Sequence, residues 1–144
     1  TYFNNFKFYI VIRNDTIFHL GLELPSYSNL IYDPNKLLPY INWLNNYFNG
    51  IINKHNFKLN KPLSSFDNLV YEELVKVKPG STISYKELAY RINKPKAARA
   101  IGNALSRNEI LILIPCHRII KSDGSLGGFA EGPILKDLLL SLEK

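Results

Sequence analysis

The chain has 144 residues, of which 46% are apolar, and its eighteen Lys and Arg against twelve Asp and Glu give a net charge of +6. This apolar content is enough for a sizeable core, in one domain or two small ones, and it excludes a disordered chain. The sequence shows neither a secretory leader nor a run of about 20 apolar residues that would span a bilayer. We therefore expect a soluble, intracellular protein.

The first third of the chain predicts a small unit of strands and one helix. Residues 6–12 and 16–24 are rich in β-branched and aromatic side chains, and the turn residues 13–15 between them favour an antiparallel hairpin. Apolar residues at helical spacing then predict a helix that opens at Pro34 and stops at Asn49-Gly50.

A further short strand is expected near residues 57–59, and the pair Lys61-Pro62 indicates a domain boundary. We therefore predict an N-terminal αβ domain over residues 1–62 and a second domain over residues 63–144. Nothing in the first domain points to chemistry.

The second domain reads as mainly helical. Ser64 with Asp67 three residues later resembles a capping box, and the apolar stripe that follows predicts a helix ended by Pro79-Gly80. Ser84 with Glu87 repeats the capping pattern and opens another helix.

Two short helices lie inside the most basic stretch of the chain. Residues 85–107 carry six basic side chains against Glu87 alone. The first helix, over residues 85–92, stops at 93–95, and a second one continues through Leu105, which is the form of a helix-turn-helix. A basic run is often only a solvated helix face, but this architecture favours nucleic acid as the partner.

The second of these helices has unusually small side chains for a DNA reader. Its exposed face is built mainly from Ala97, Ala98, Ala100 and Gly102. Such a face suits close approach to a minor groove only about 6 Å wide. The alternative is packing against a neighbouring helix, since Ala is the best helix former. Arg99 is either an ordinary solvated arginine or a plug that fills the duplex when a base leaves the stack.

The only cysteine of the chain lies beside a histidine and an arginine, in the segment 113–120. The thiolate is the attacking form of cysteine, and neighbouring cations lower the thiol pKa from about 8.5 toward neutrality. Cys116 is therefore a candidate nucleophile, and the alternative is a small buried hydrophobic residue. If the backbone here is extended, His117 points away from the thiol and acts on it through a bridging water.

A single thiol permits no disulfide and provides too few soft ligands for structural zinc. The remaining histidines, His19 and His55, lie in unrelated contexts and are interpreted as ordinary surface or core residues. The sequence thus predicts neither a metal nor a cofactor.

The last predicted helix begins at Pro133 and presents apolar side chains to the core, namely Ile134, Leu135, Leu138, Leu139 and Leu142. Glu143 lies in its last turn, where the helix dipole disfavours an acid. A hydrogen bond that orients the imidazole would explain this position. The alternative is a frayed terminal carboxylate next to Lys144.

From residue 63 to residue 143 the chain resembles the O6-alkylguanine-DNA alkyltransferases, which transfer an alkyl group from guanine O6 onto their own cysteine. The matching parts are Ser84–Ala89, Pro95–Leu105, Asn108, Ile114–Ile120, Gly127-Gly128 and the terminal helix with its acid. Residues 1–62 match in outline only. The resemblance implies an α/β fold: a small N-terminal αβ unit of antiparallel strands plus a helix, then a mainly helical domain with a winged-helix-like helix-turn-helix.

The resemblance also implies roles for individual residues. Cys116 would be the nucleophile and alkyl acceptor, His117 the base acting through water, and Glu143 the group that orients His117. Asn108 would brace the active-site turn. Tyr85 would help to rotate the nucleotide and would protonate the departing guanine.

The remaining implied residues belong to two surfaces. Arg99 would enter the duplex, and the other DNA-binding residues would be Ser84, Tyr85, Lys96, Ala97, Ala98, Ala100 and Gly102. The alkylguanine pocket would be lined by Leu105, Ile119, Phe129, Ala130 and Glu131. Phe129 and Ala130 stand where many relatives have Tyr and Ser, and Glu131 adds a charge. We expect Ala130 and Glu131 to tune tolerance of bulky adducts, which Glu131→Gly tests with methyl and benzyl substrates.

The implied reaction is an in-line displacement at a saturated carbon after the base has flipped out of the duplex. The thioether product cannot be hydrolysed, so each molecule should act once. We expect a monomer that binds the minor groove of double-stranded DNA, has no contact with membranes, and is cytoplasmic, or nuclear in a eukaryote.

Two alternative functions remain. One is a lesion sensor without chemistry. The other is a helix-turn-helix regulator with a redox cysteine, although the alanine-rich helix lacks the side chains that read a sequence.

Overall fold

The computed structural model describes all 144 residues, which divide into two compact units, Thr1–Asn60 and Lys61–Lys144. The division falls two residues before the boundary predicted after residue 62. The predicted α/β class is confirmed, because the first unit combines short strands with one helix and the second unit is mainly helical. None of the helices is long and apolar enough to cross a membrane.

Five short strands lie in the first unit. Strand β1 (Tyr2–Phe3) pairs with β2 (Phe6–Lys7), and β3 (Tyr9–Arg13) pairs antiparallel with β4 (Thr16–Gly21), which also pairs parallel with β5 (Lys58–Leu59). The predicted hairpin is therefore present, although its second strand ends at Gly21 and not at residue 24.

The hairpin turn and the helix of the first unit follow local sequence signals. Asn14 and Asp15 take φ angles of 50° and 60°, the left-handed conformation that a tight hairpin turn needs and that these residues tolerate. Helix α1 (Pro34–Phe48) is capped by Asp33, whose side chain accepts a hydrogen bond from Lys36 N. It ends just before Asn49, as predicted.

The second unit contains four helices and one small parallel ladder. The helices are α2 (Ser65–Leu74), α3 (Tyr85–Arg91), α4 (Ala98–Ser106) and α5 (Pro133–Leu142). Strand β6 (Ile83–Ser84) pairs with β7 (Ile119–Ile120), and a single 3-10 turn (Cys116–Arg118) directly precedes β7. The ladder thus attaches the cysteine-bearing segment to the start of α3.

Helix α2 differs from its prediction at both ends. Ser64 caps it by accepting a hydrogen bond from Asp67 N at 3.2 Å, but the Asp67 carboxylate binds Arg107 at 2.7 and 2.8 Å and does not complete the predicted capping box. The helix ends at Leu74, before Pro79-Gly80, because tighter turns such as Val77 N to Leu74 O replace the helical hydrogen bonds.

Tyr71 joins α2 to α4, since its hydroxyl donates a 2.6 Å hydrogen bond to the carbonyl of Ala104 in a buried environment. Tyr71→Phe should lower the free energy of unfolding by about 1–2 kcal/mol, because the Ala104 carbonyl stays buried without its donor. Urea denaturation measures the loss. Tyr90→Phe is the matched control, as Tyr90 is 59% exposed, and an equal effect of both substitutions would contradict the assignment.

Candidate active site

Cys116 opens the 3-10 turn and is 5% exposed. The turn forms because Arg118 N donates to Pro115 O at 2.9 Å, so the backbone at the cysteine is not extended and the condition considered for it does not hold. His117 Nε2 lies 2.9 Å from Glu143 Oε2, so this ring nitrogen is engaged with Glu143.

Asn108 braces the segment that leads to the cysteine. Its amide nitrogen lies within hydrogen-bonding distance of Ile114 O at 3.0 Å and Cys116 Sγ at 3.2 Å, while its amide oxygen accepts from Ile110 N at 3.0 Å. The apolar run between them, residues 110–114, is buried as predicted. At its centre Ile112 has a φ of 70°, a strained conformation for a β-branched residue.

A buried ionic network lies next to the cysteine. Glu143 Oε2 is 2.9 Å from His117 Nε2 and accepts from an Arg118 terminal nitrogen at 2.6 Å, while Oε1 accepts from Arg118 Nε at 2.9 Å. Arg118 also donates to Val77 O at 2.7 Å. Because Glu143 is only 7% exposed, it is not a frayed terminal carboxylate.

The network determines which nitrogen of His117 is basic. Burial would raise the pKa of Glu143, but hydrogen bonds from Arg118 and His117 outweigh it and lower this pKa to about 2. Glu143 is thus an ionised acceptor, so His117 Nε2 carries the hydrogen. Burial lowers the pKa of His117 and favours the neutral ring. The free lone pair is therefore on Nδ1, which is buried and has no hydrogen-bond partner in the protein.

The cysteine thiol is less acidic than its sequence neighbours suggest. Burial raises the pKa of Cys116 to about 12, opposed by the hydrogen bond from Asn108 and the charge of Lys136, and reinforced by the charge of Glu131. The predicted lowering by neighbouring cations is wrong, because Arg118 is bound to Glu143 and His117 is held neutral by burial.

Lys136 belongs to this site but was missed at the sequence level. It is fully buried, and its ammonium group donates to the carbonyls of Ile119 at 2.5 Å, Gly128 at 3.2 Å and Leu126. Burial lowers its pKa to about 8. Lys136, Leu139 and Glu143 are spaced by three and four residues along α5 and its C-cap, which places them on one helix face. This spacing is the sequence pattern that could have identified Lys136.

The prediction for α5 was also wrong at Ile134, which is 70% exposed. Helix α5 begins at Pro133 as predicted, and Leu135 and Leu139 are fully buried. Ile134 was expected to face the core but faces solvent. Lys136, two residues further along the helix, is fully buried instead.

The loop from Lys121 to Gly132 packs against Tyr85. A Cβ atom at Gly127, whose φ is 73°, would lie 3.5 Å from Tyr85 Cε2, so the loop passes closely over the Tyr85 ring. Burial and the nearby Cys116 raise the pKa of Tyr85, and its hydroxyl therefore stays protonated at neutral pH. The loop thus packs against the residue that begins α3.

The predicted pocket residues differ in exposure. Leu105, Phe129 and Glu131 are half-buried and Ala130 is exposed, whereas Ile119 is fully buried and presents no accessible side-chain surface. Ile119 instead pairs with Ile83 in the parallel ladder. The first three retain surface that a bound base could contact.

The predicted DNA-binding residues lie on and beside α4. Lys96, Ala98, Arg99 and Ala100 are exposed, Ala97, Gly102, Ser84 and Tyr85 are half-buried, and Ser84 caps α3 by accepting from Glu87 N at 3.0 Å. A Cβ at Gly102 would meet nothing within 4 Å. The small side chains of this face are therefore not required by packing within the chain, in contrast to Ala104, which is buried.

Comparisons with known proteins converge on one family. Residues 65–144 match the family model described as the DNA-binding domain of 6-O-methylguanine DNA methyltransferase. The chain is 45% identical over 98 residues to a methylated-DNA–protein-cysteine methyltransferase of Methanosarcina barkeri, covering 68% of this chain and 62% of that protein. It is 38% identical over 120 residues to the Mycobacterium tuberculosis protein of the same name, covering 83% of this chain and 73% of that protein.

The fold agrees with this match. The crystal structure of Mycobacterium tuberculosis OGT in complex with DNA superimposes with a TM-score of 0.88 at 34% identity, covering 94% of this chain and 85% of that one. The aligned region spans just under two thirds of the Methanosarcina barkeri protein and of the inducible Bacillus subtilis relative, 62% and 65% of their lengths.

Proposed function

This chain belongs to the 6-O-methylguanine DNA methyltransferase family, and we propose from that premise that it repairs DNA by transferring an alkyl group from guanine O6 to Cys116. The observation that carries the proposal is the position of the thiol. Asn108 approaches the sulfur at 3.2 Å, beside a buried His117–Glu143 pair separated by 2.9 Å. Such a set of nucleophile, base and orienting carboxylate is suited to activation of a sulfur nucleophile.

Base flipping precedes the reaction in this proposal. Cys116 is only 5% exposed, and a guanine that stays paired and stacked in the duplex cannot reach it, so the base must leave the stack to bring its O6 substituent to the sulfur. Helix α4 would dock in the minor groove with its small exposed side chains against the DNA. Arg99, exposed on this helix, would occupy the space left in the duplex, and the protein would act as a monomer.

The proton of the thiol would pass to His117. Nδ1 is the basic nitrogen of that ring and has no partner in the protein, so it can accept a proton from Cys116 through one bridging water. The resulting imidazolium would be stabilised by Glu143, which already holds Nε2 at 2.9 Å. This transfer compensates for the burial that raises the pKa of the thiol.

The alkyl group then moves in a single displacement. A bond forms between Cys116 Sγ and the alkyl carbon, the carbon–O6 bond breaks, and its electron pair leaves with guanine, which takes a proton from the Tyr85 hydroxyl. The proton held by His117 then passes through solvent to the Tyr85 oxygen, so that both side chains are neutral again. The net change is alkyl transfer to sulfur and proton transfer to guanine, and the stable thioether ends the activity of that molecule.

The decisive experiment incubates the protein with a duplex oligonucleotide containing one O6-methylguanine and determines the mass of the peptide containing Cys116. We expect that peptide to gain one methylene, the guanine to be restored, and one turnover per protein molecule. Cys116→Ser should bind the duplex without gaining mass. A wild-type complex with an unmodified Cys116 would select a lesion sensor, and preference for one undamaged sequence would select a regulator.

A further inference from the structure

We propose that the ion pair between Asp67 and Arg107 is a positioning device for alkyl transfer. The pair holds the end of helix α4, from which the side chain of Asn108 reaches the reactive sulfur. The inference rests on the function proposed above and adds to it two residues that were not among the predicted site residues. It depends on the geometry of the pair, on the hydrogen bonds that connect the pair to Asn108, and on the distance between Asn108 and the thiol.

The ion pair joins a buried carboxylate to a largely exposed guanidinium through two hydrogen bonds. Arg107 Nε donates to one carboxylate oxygen of Asp67 at 2.8 Å, and a terminal nitrogen donates to the other oxygen at 2.7 Å. The Asp67 side chain is 5% exposed and that of Arg107 is 55% exposed. Surface ion pairs usually contribute little, but two parallel hydrogen bonds fix direction as well as distance. Because the carboxylate is shielded from water, the pair ties the chain at Arg107 to helix α2.

Tyr71, one turn further along α2, holds the same end of α4. Its hydroxyl donates to Ala104 O at 2.6 Å, and Arg107 N donates to the same carbonyl at 3.1 Å. Asn108 N donates to the next carbonyl of the helix at 3.2 Å. Since Asp67 and Tyr71 are four residues apart, they project from one face of α2. Helix α2 therefore holds the last turn of α4 at two points, and the backbone of Asn108 is bonded into that turn.

The position of this turn determines where the Asn108 side chain begins. The Asn108 amide nitrogen lies 3.2 Å from Cys116 Sγ. A hydrogen bond to sulfur stabilises the negative charge of the thiolate, and displacing a positioned group by about 1 Å can cost about 10²-fold in rate. Asp67 and Arg107 do not contact the sulfur, so they are positioning residues that act through Asn108. If the other hydrogen bonds of the Asn108 side chain were enough to fix its amide, the ion pair would contribute to stability alone.

The test measures single-turnover methyl transfer to the cysteine from a saturating O6-methylguanine duplex, at a temperature where every variant is fully folded. Asp67→Asn is the main variant, because it removes the negative charge and keeps the side-chain shape and the cation of Arg107. A double-mutant cycle with Asn108→Ala shows whether the two residues act through one path. Lys76→Gln is the matched control, since it breaks an exposed ion pair with Glu73, 2.9 Å long, beside the end of α2.

We expect Asp67→Asn to lower the single-turnover rate about tenfold, because the donor to the sulfur is displaced. The dissociation constant for an undamaged duplex should stay within about twofold, since no cation is removed. In the Asn108→Ala background the same substitution should change the rate by less than about twofold, because the donor that it positions is absent. Lys76→Gln should change neither quantity.

Arg107→Lys provides a second measurement that does not need Asn108→Ala to fold. Lysine keeps the charge but lacks the planar fork that binds both carboxylate oxygens. The rate of Arg107→Lys should therefore lie between that of the wild type and that of Arg107→Gln, which leaves the buried carboxylate without its partner.

A wild-type rate in Asp67→Asn or in Arg107→Gln would overturn the positioning role while leaving the repair function intact. An equal loss from Asp67→Asn with and without Asn108 would also overturn it, because the pair would then not act through Asn108. Absence of methylated Cys116 in the wild-type protein would instead overturn the proposed function, and this inference with it.

Discussion

Glu143→Gln should slow methyl transfer to Cys116 by about 10²–10⁴-fold, the range lost when a general base is misoriented. Oε1 accepts from Arg118 Nε, and Oε2 accepts from Arg118 and faces His117 Nε2. The amide nitrogen of glutamine replaces one of these two oxygens, and in either orientation its N–H group faces an N–H donor of Arg118 or His117. His117 then loses the partner that keeps Nδ1 unprotonated. Single-turnover rates with an O6-methylguanine duplex measure the loss.

The same substitution has a pH-dependent effect on stability. The pKa of Glu143 is lowered from 4.5 to about 2 in the folded protein, so its contribution is complete above the unfolded value and is lost as the pH falls toward 2. The wild-type advantage over Glu143→Gln should reach about 3 kcal/mol near neutrality and vanish at low pH. Glu109→Gln, at an exposed site, should change neither rate nor stability. An undiminished rate in Glu143→Gln would refute the orienting role.

Lys136→Met should lower the free energy of unfolding by about 3–5 kcal/mol, because the methionine fills the volume but leaves one buried and two partly buried carbonyls without their donor. These carbonyls belong to Ile119 in β7 and to Leu126 and Gly128 in the loop. Urea denaturation measures the loss of stability. Hydrogen exchange should be faster in the variant than in the wild type, first of all in residues 121–132.

Lys144→Met provides the matched control, since Lys144 is exposed beyond the end of the same helix. It should leave the unfolding midpoint unchanged. If Lys136→Met proved as stable as the wild type, the ammonium group would not stabilise the loop. The three hydrogen bonds would then make no net contribution to the free energy of unfolding.

Local signals in the sequence were sufficient for most of the fold. Asp33 and Ser84 cap helices where their side chains can accept a backbone N–H, and proline opens α1 and α5 because it needs no hydrogen-bond acceptor at that position. The unfavourable location of Glu143 at a helix C-terminus also indicated a specific partner. The caps and the proline starts were predictable because the interactions involved lie within a few residues of one another, whereas Glu143 and His117 are 26 residues apart.

Features that depend on contacts distant in sequence were not predictable in this way. The Asp67 carboxylate binds Arg107, forty residues away, and not the N-terminus of its own helix. Lys136 was missed because its acceptors lie in two other parts of the chain, β7 and the loop that follows it. The thiol pKa was predicted in the wrong direction, since burial of Cys116 outweighs the charges adjacent to it in sequence.

The left-handed backbone at Ile112 couples the reactive site to completion of folding. A β-branched residue at a φ of 70° costs about 1–3 kcal/mol and persists only where the surroundings enforce it. Here they do so through burial of the side chain, which is 3% exposed, and through Asn108. We therefore expect a nascent or heat-damaged polypeptide to lack this turn, so that Cys116 reacts only in molecules that have completed folding.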